Sequence, residues 1–209
     1  MWWIWKVRIW QRKRERGTFE LCSNKKYRYK AWNKLTKFYQ NKVIFLSNIP
    51  LKQITDGQLW ISHYPGKTGI RDRLFQAKID LLELKKKKID IVVSLLKKEE
   101  LEALQISTLF DLIKKHQFTH YYFPIEDKSV PKNKVELNRL LDELCTEILK
   151  NKKVLLHCNA GLGRSGLIAA LICKRLGISE SPISYIRKHR PGSIETKDQE
   201  KMITSVDLV

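Results

Sequence analysis

The sequence predicts an α/β domain: a central sheet, mixed or mostly parallel, with helices on both faces. "IDIVVSLL" (89–96), "THYYFPI" (119–125) and "KVLLHC" (153–158) are largely continuous apolar runs of strand length. Such runs suit strands buried on both sides, whereas half-buried strands alternate. Helix-like stretches separate them, which implies a parallel or mixed sheet covered on both faces. A glycine-rich stretch follows Cys158 at once and leads into a further helix pattern. In sheets of this kind ligands bind beyond the carboxyl ends of the strands.

The elements follow in order. "QLWISHYP" (58–65) reads as a strand ending at a Pro-Gly turn. In "RDRLFQAKIDLLELKKKK" (71–88), Leu74, Ala77, Leu81, Leu82 and Leu84 recur at helical spacing. Its "KKKK" (85–88) reads as a solvated helix end that complements the dipole, not as a nucleic-acid contact. "KKEELEAL" (97–104) and "TLFDLIKKHQ" (108–117) are helical. Pro131 is expected to open a long helix through about Lys150. Two more helices run from the glycine loop to about Leu176 and from about Ser181 to His189.

The chain has 209 residues, 43% apolar and 30% charged, enough for one domain with a sizeable core and an appendage. No stretch reaches the roughly 18 uninterrupted apolar residues of a membrane-spanning helix. The four cysteines form no CxxC pair and show no metal-ligand spacing, so a reducing, cytoplasmic setting is expected, with no metal or organic cofactor. Cys145 and Cys173 lie on helices and read as core residues.

The net charge of +19 is unevenly placed. Residues 1–40 hold twelve Lys and Arg against Glu15 and Glu20, and five of the six tryptophans. We therefore divide the chain into a basic, Trp-rich segment (1–40) and a domain (41–209) that alternates strand-like and helix-like stretches. The segment reads as an irregular tail. It is also a candidate for peripheral attachment to an anionic membrane surface, because tryptophan favours the headgroup level and Lys and Arg favour anionic lipid.

"HCNAGLGRSG" (157–166) is the stretch that carries chemistry. Gly161, Gly163 and Gly166 allow tight turns, so that successive backbone N–H groups can line an anion-binding nest. The helix that follows adds positive potential at its N-terminus. A thiol in that field favours the thiolate. Arg164 supplies a fork of donors matched to two phosphate oxygens. A nucleophile beneath a tetrahedral anion is the result, with Asn159, Ala160, Gly161, Leu162, Gly163 and Arg164 around the substrate phosphate.

This pattern, H-C-x5-R-[S/T]-G, resembles the signature loop of the cysteine-dependent protein tyrosine and dual-specificity phosphatases. The resemblance implies Cys158 as nucleophile. It also implies an aspartic general acid after an earlier strand, which "YYFPIEDKSVP" (121–131) fits through Asp127, with Glu126 as its neighbouring competitor. Ser165 is then expected to hydrogen-bond the Cys158 sulfur, and His157 to orient the loop in a supporting role. Within the superfamily, "YPG" (64–66), "AGLGRSG" (160–166), the 99–116 insertion and "RPGSIETKDQ" (190–199) are most similar to the kinase-associated phosphatase group. Glu195 departs from that group's glutamine, which leaves it to Gln199 to substitute or to Glu195 to point outward.

The expected activity is hydrolysis of phosphotyrosine and phosphoserine or phosphothreonine in phosphorylated proteins. Asn159, Ala160 and Leu162 are uncharged, unlike the lysine-bearing loops of phosphoinositide phosphatases, which remain an alternative, as does a non-catalytic phosphoprotein-binding module. Every residue assigned to chemistry lies between Asp127 and Ser165, so the chemistry is expected not to need residues 1–40.

Overall fold

The computed structural model describes residues 43–205 except 53, 70, 71, 179 and 180. The basic Trp-rich segment, and with it the membrane and domain-division expectations, lies outside the described residues. A five-stranded sheet forms the centre, in the order β1-β2-β5-β3-β4. Its strands are β1 (Leu46–Ile49), β2 (Gln58–His63), β3 (Ile91–Ser94), β4 (Thr119–Tyr122) and β5 (Lys153–Cys158). β1 runs antiparallel to β2, and the other pairings are parallel. The mixed sheet flanked by helices is therefore as expected.

The helices are α1 (Arg73–Lys86), α2 (Lys98–Ala103), α3 (Leu109–Lys115), α4 (Lys134–Leu149), α5 (Gly163–Arg175), α6 (Pro182–His189) and α7 (Lys197–Ser205). Successive strand residues point to opposite faces. Ile91, Val93, Val154 and Leu156 accordingly join a core built with α4, α5 and Ile186 of α6. Val92 and Leu155 join a second core built with α1, α2 and α3. Both faces of β3 and β5 are covered, which is why their sequences are continuously apolar.

Two sequence expectations are corrected, and two elements are added. β4 is an edge strand rather than a buried one: Thr119 and Tyr122 are exposed, and its other edge pairs with no described strand. Its aromatic character comes from Phe110 of α3, which packs against both His120 and Tyr122. α4 starts at Lys134, not at Pro131, because the Asn133 side chain accepts from the N–H groups of Val135 and Glu136. β1 and α7 were not foreseen, being short and largely polar.

Buried Asp80 of α1 ties the mouth-side loop to the domain. Its carboxylate accepts from the N–H groups of Gly66 (2.7 Å) and Ile44 (3.2 Å) and from Gln76 Nε2 (2.8 Å). Burial nevertheless outweighs these bonds and raises its pKa from 3.8 to about 6. The folded protein thus holds this proton more tightly than the unfolded chain. The resulting stability is fully present below pH 3.8 and is lost as pH rises through about 6. We predict that Asp80→Asn destabilises the protein by about 1–3 kcal/mol at neutral pH, through an orphaned buried N–H. Urea unfolding should show a larger loss at pH near 4.5 than at neutral pH, and an equal or smaller loss would contradict the assignment.

Candidate active site

Cys158 is the last residue of β5 and is only 2% exposed. Its Sγ accepts a hydrogen bond from the Gly161 N–H at 3.3 Å. Gly161 adopts φ +69, and a Cβ there would meet Ser62 backbone atoms at 2.3 Å. Only glycine lets the loop turn this tightly against β2.

The loop carbonyls are held from outside. Lys67 Nζ donates to both Asn159 O and Asn159 Oδ1 at 3.1 Å. Arg190 donates to Ala160 O (3.1 Å) and Gly161 O (3.0 Å). Because each peptide unit is planar, a carbonyl pulled outward turns the N–H of the same unit inward. Leu162 precedes α5, and its carbonyl accepts from Gly166 N at 2.9 Å, the first helical bond. The first N–H groups of α5, from Gly163 onward, have no intrahelical acceptor. This arrangement leaves the loop N–H groups and the start of α5 as candidate donors to an anion.

Arg164 is 1% exposed, and both terminal nitrogens of its guanidinium have partners. Glu100 of α2 takes it bidentately, at 2.6 Å and 2.9 Å. Ile125 O accepts at 3.1 Å. Asp127 Oδ1 forms an ion pair with it at 2.9 Å. Burial opposes the charge, but the Glu100 hydrogen bonds and the charges of Cys158, Glu100 and Asp127 outweigh it and hold the guanidinium above its ordinary pKa. Glu126, the competitor, instead pairs with Lys97 at 2.7 Å on the outer surface. The structure therefore brings Asp127, not Glu126, to Arg164.

His157 is fully buried, and its Nε2 lies 2.7 Å from Ser94 Oγ at the end of β3. Ser94 Oγ also lies 2.9 Å from His120 Nε2. Burial lowers His157 to about 3 and His120 to about 4, so both imidazoles are neutral at physiological pH. The hydroxyl has one proton, so it donates to one ring and accepts from the other. The side-chain bond of His157 to Ser94 thus fastens β5 to β3 rather than to the loop.

The expected bond from Ser165 to the Cys158 sulfur is not formed. Ser165 Oγ is buried and has no hydrogen-bond partner among the described residues. The sulfur's partner is the Gly161 N–H instead. Glu195 does not point outward: its Oε2 lies 2.3 Å from where a Cβ on Gly163 would sit. The preceding Ile194 holds φ 62, a strained value for a β-branched residue, and is fixed by Arg187 on its carbonyl. Gln199 accepts from Glu195 N (2.9 Å) and donates to Ser129 O (3.2 Å), joining α7 to the segment bearing Asp127.

Sequence reasoning missed Glu100, Lys97 and Lys67. The available signal for Glu100 was position: it follows the carboxyl end of β3, which lies beside that of β5 through the Ser94–His157 register. We predict that inorganic phosphate protects Cys158 from iodoacetate, and that Glu100→Gln weakens this protection about tenfold or more, since a misplaced binding group costs up to about a hundredfold. Cys145 and Cys173 should react far more slowly, because burial raises them to about 11 and about 12. Peptide mapping after alkylation checks both points.

The family model described as cyclin-dependent kinase inhibitor 3 (CDKN3) matches residues 26–186. The cyclin-dependent kinase inhibitor 3 of Rattus norvegicus is 31% identical over 161 residues, covering 75% of each chain. That of Mus musculus is likewise 31% identical over 161 residues. The crystal structure of kinase associated phosphatase with its catalytic-site cysteine replaced by serine aligns with a TM-score of 0.69 at 29% identity, covering 78% of this chain and 93% of that one. Tk-PTP in its active form aligns with a TM-score of 0.59 at 25% identity, covering 76% and 94%.

Proposed function

The chain belongs to the cyclin-dependent kinase inhibitor 3 (CDKN3) family, and on that premise we propose that it hydrolyses phosphate monoesters on proteins through a cysteinyl-phosphate intermediate. The observation that carries this reading is the convergence on Arg164: a thiol beneath an N–H nest, a guanidinium oriented by Glu100, and the Asp127 carboxylate at 2.9 Å. These are a nucleophile, an oxyanion clamp and a proton donor within reach of one another.

In the first step the Cys158 thiolate attacks phosphorus, and the P–O ester bond breaks. The electron pair leaves on the ester oxygen, which takes its proton from protonated Asp127. The phosphate takes the place of Asp127 at Arg164, while Glu100 stays. In the second step Asp127 accepts a proton from water as the water oxygen attacks phosphorus. The S–P bond then breaks and the thiolate is restored. The unpartnered Ser165 hydroxyl is available to donate to the departing sulfur by rotation about χ1.

Phosphotyrosine and phosphoserine or phosphothreonine are both substrates in this reading, and the uncharged Asn159, Ala160 and Leu162 favour phosphoproteins over polyphosphorylated lipids. The names of the relatives point to phosphorylated kinases as a candidate partner class. We predict that Cys158→Ser abolishes turnover. Asp127→Asn should lower kcat by about 10²–10⁴-fold for poor leaving groups, and much less for an activated aryl phosphate that leaves without a proton. Equal losses on both substrates, or the leaving-group pattern in Glu126→Gln instead, would contradict the assignment of Asp127.

A further inference from the structure

We propose that Lys67 and Arg190 form an anion-binding lip beside the loop, which selects phosphopeptides carrying an acidic side chain next to the phosphoresidue; this rests on the phosphoprotein phosphatase reading above. Charge is matched on one side of the loop and unmatched on the other. On the α2 side, Arg164 faces Glu100 and Asp127, and Lys97 faces Glu126. On the β1–β2 side, the partners of Lys67 are Asn159 O and Oδ1. Those of Arg190 are Gly161 O, Ala160 O and Ser47 Oγ. All are neutral oxygens, and among the described residues neither cation has a carboxylate partner.

The two cations hold the three residues that follow Cys158: Lys67 bonds Asn159, and Arg190 bonds Ala160 and Gly161. Burial lowers the Lys67 pKa; the Cys158 charge opposes this, and Arg190 then adds to the lowering. Buried His63 between strand and loop is lowered by burial and further by both cations. Lys67 is exposed, and an ammonium has three donors, of which Asn159 takes two. The Arg190 guanidinium lies 4.7 Å over the ring of Phe45, which is 56% exposed, so the lip has a firm apolar backing.

This polarity favours a peptide over a phosphorylated inositol ring. A ring bearing several phosphates would find unmatched cations on the Lys67 side alone, because Arg164 and Lys97 on the α2 side are already paired with Glu100, Asp127 and Glu126. An extended peptide crosses the site in one direction. One flank meets Lys67 and the other passes the acidic wall.

The test is kcat/KM for phosphotyrosine peptides that differ only in one flanking residue, Asp, Asn or Lys, at each position next to the phosphoresidue. At low salt, Asp should exceed Asn about fivefold on one flank, the scale of an exposed ion pair, and the preference should shrink at high salt. Lys67→Met should bring the Asp-to-Asn ratio to one, and Lys67→Arg should keep it. Because the ratio is taken within each variant, any loosening of Asn159 cancels. The lip is overturned if Lys67→Met lowers both peptides equally with the ratio intact, or if wild-type enzyme shows no flank preference. It is also overturned if phosphatidylinositol phosphate in phosphatidylcholine vesicles is hydrolysed faster than every peptide. Turnover of aryl phosphate without turnover of any phosphopeptide overturns the phosphoprotein reading itself, and the lip with it.

Discussion

The bidentate pair between Arg164 and Glu100 is the interaction on which the site depends. A guanidinium that is 1% exposed would be costly without a counter-charge. Glu100 supplies both oxygens and is itself fixed, because one of them also accepts the Lys97 N–H at the start of α2. α2 follows β3, and β3 is locked to β5 through Ser94 opposite His157. The sheet register therefore places Glu100, Glu100 aims Arg164, and Arg164 holds both Ile125 O and Asp127 in place near the thiol. The candidate nucleophile and the candidate acid come from distant parts of the chain, and Arg164, aimed by Glu100, bridges them.

The fork is shared rather than vacant of protein contacts. Glu100 and Asp127 both occupy it, but they differ in burial: the Glu100 side chain is 23% exposed and that of Asp127 is 60% exposed. An incoming phosphate therefore competes with the more solvated carboxylate and leaves the other in place. Gln199 adds a second restraint on the Asp127 segment by donating to Ser129 O. In the proposed reaction, binding and proton transfer are coupled through the same guanidinium.

Much of this was legible in the sequence where the signal is local. Cys158, the glycines and Arg164 lie within one short loop, and β3 and β5 announce themselves because both of their faces are buried. β4 misled because Tyr121 and Tyr122 read as core, although an edge strand also packs aromatics, here against Phe110. β1 is four residues long, with Ser47 and Asn48 side by side between Leu46 and Ile49, and pairs on one side only, so its pattern is weak. Glu100 and Lys97 sit in a charge-rich helical stretch and Lys67 follows a Pro-Gly turn, and only the fold brings them to the loop. Ser165 was assigned to the sulfur by resemblance, and its hydroxyl is instead without a partner.

The central claim is that Cys158 becomes covalently phosphorylated during turnover. Rapid acid quench of the full chain with radiolabelled aryl phosphate, followed by peptide mapping, measures this directly. The account predicts label on the peptide that contains Cys158, formed as fast as the leaving group is released and absent from Cys158→Ser. Turnover that leaves no label on Cys158, or label on another residue, would contradict it.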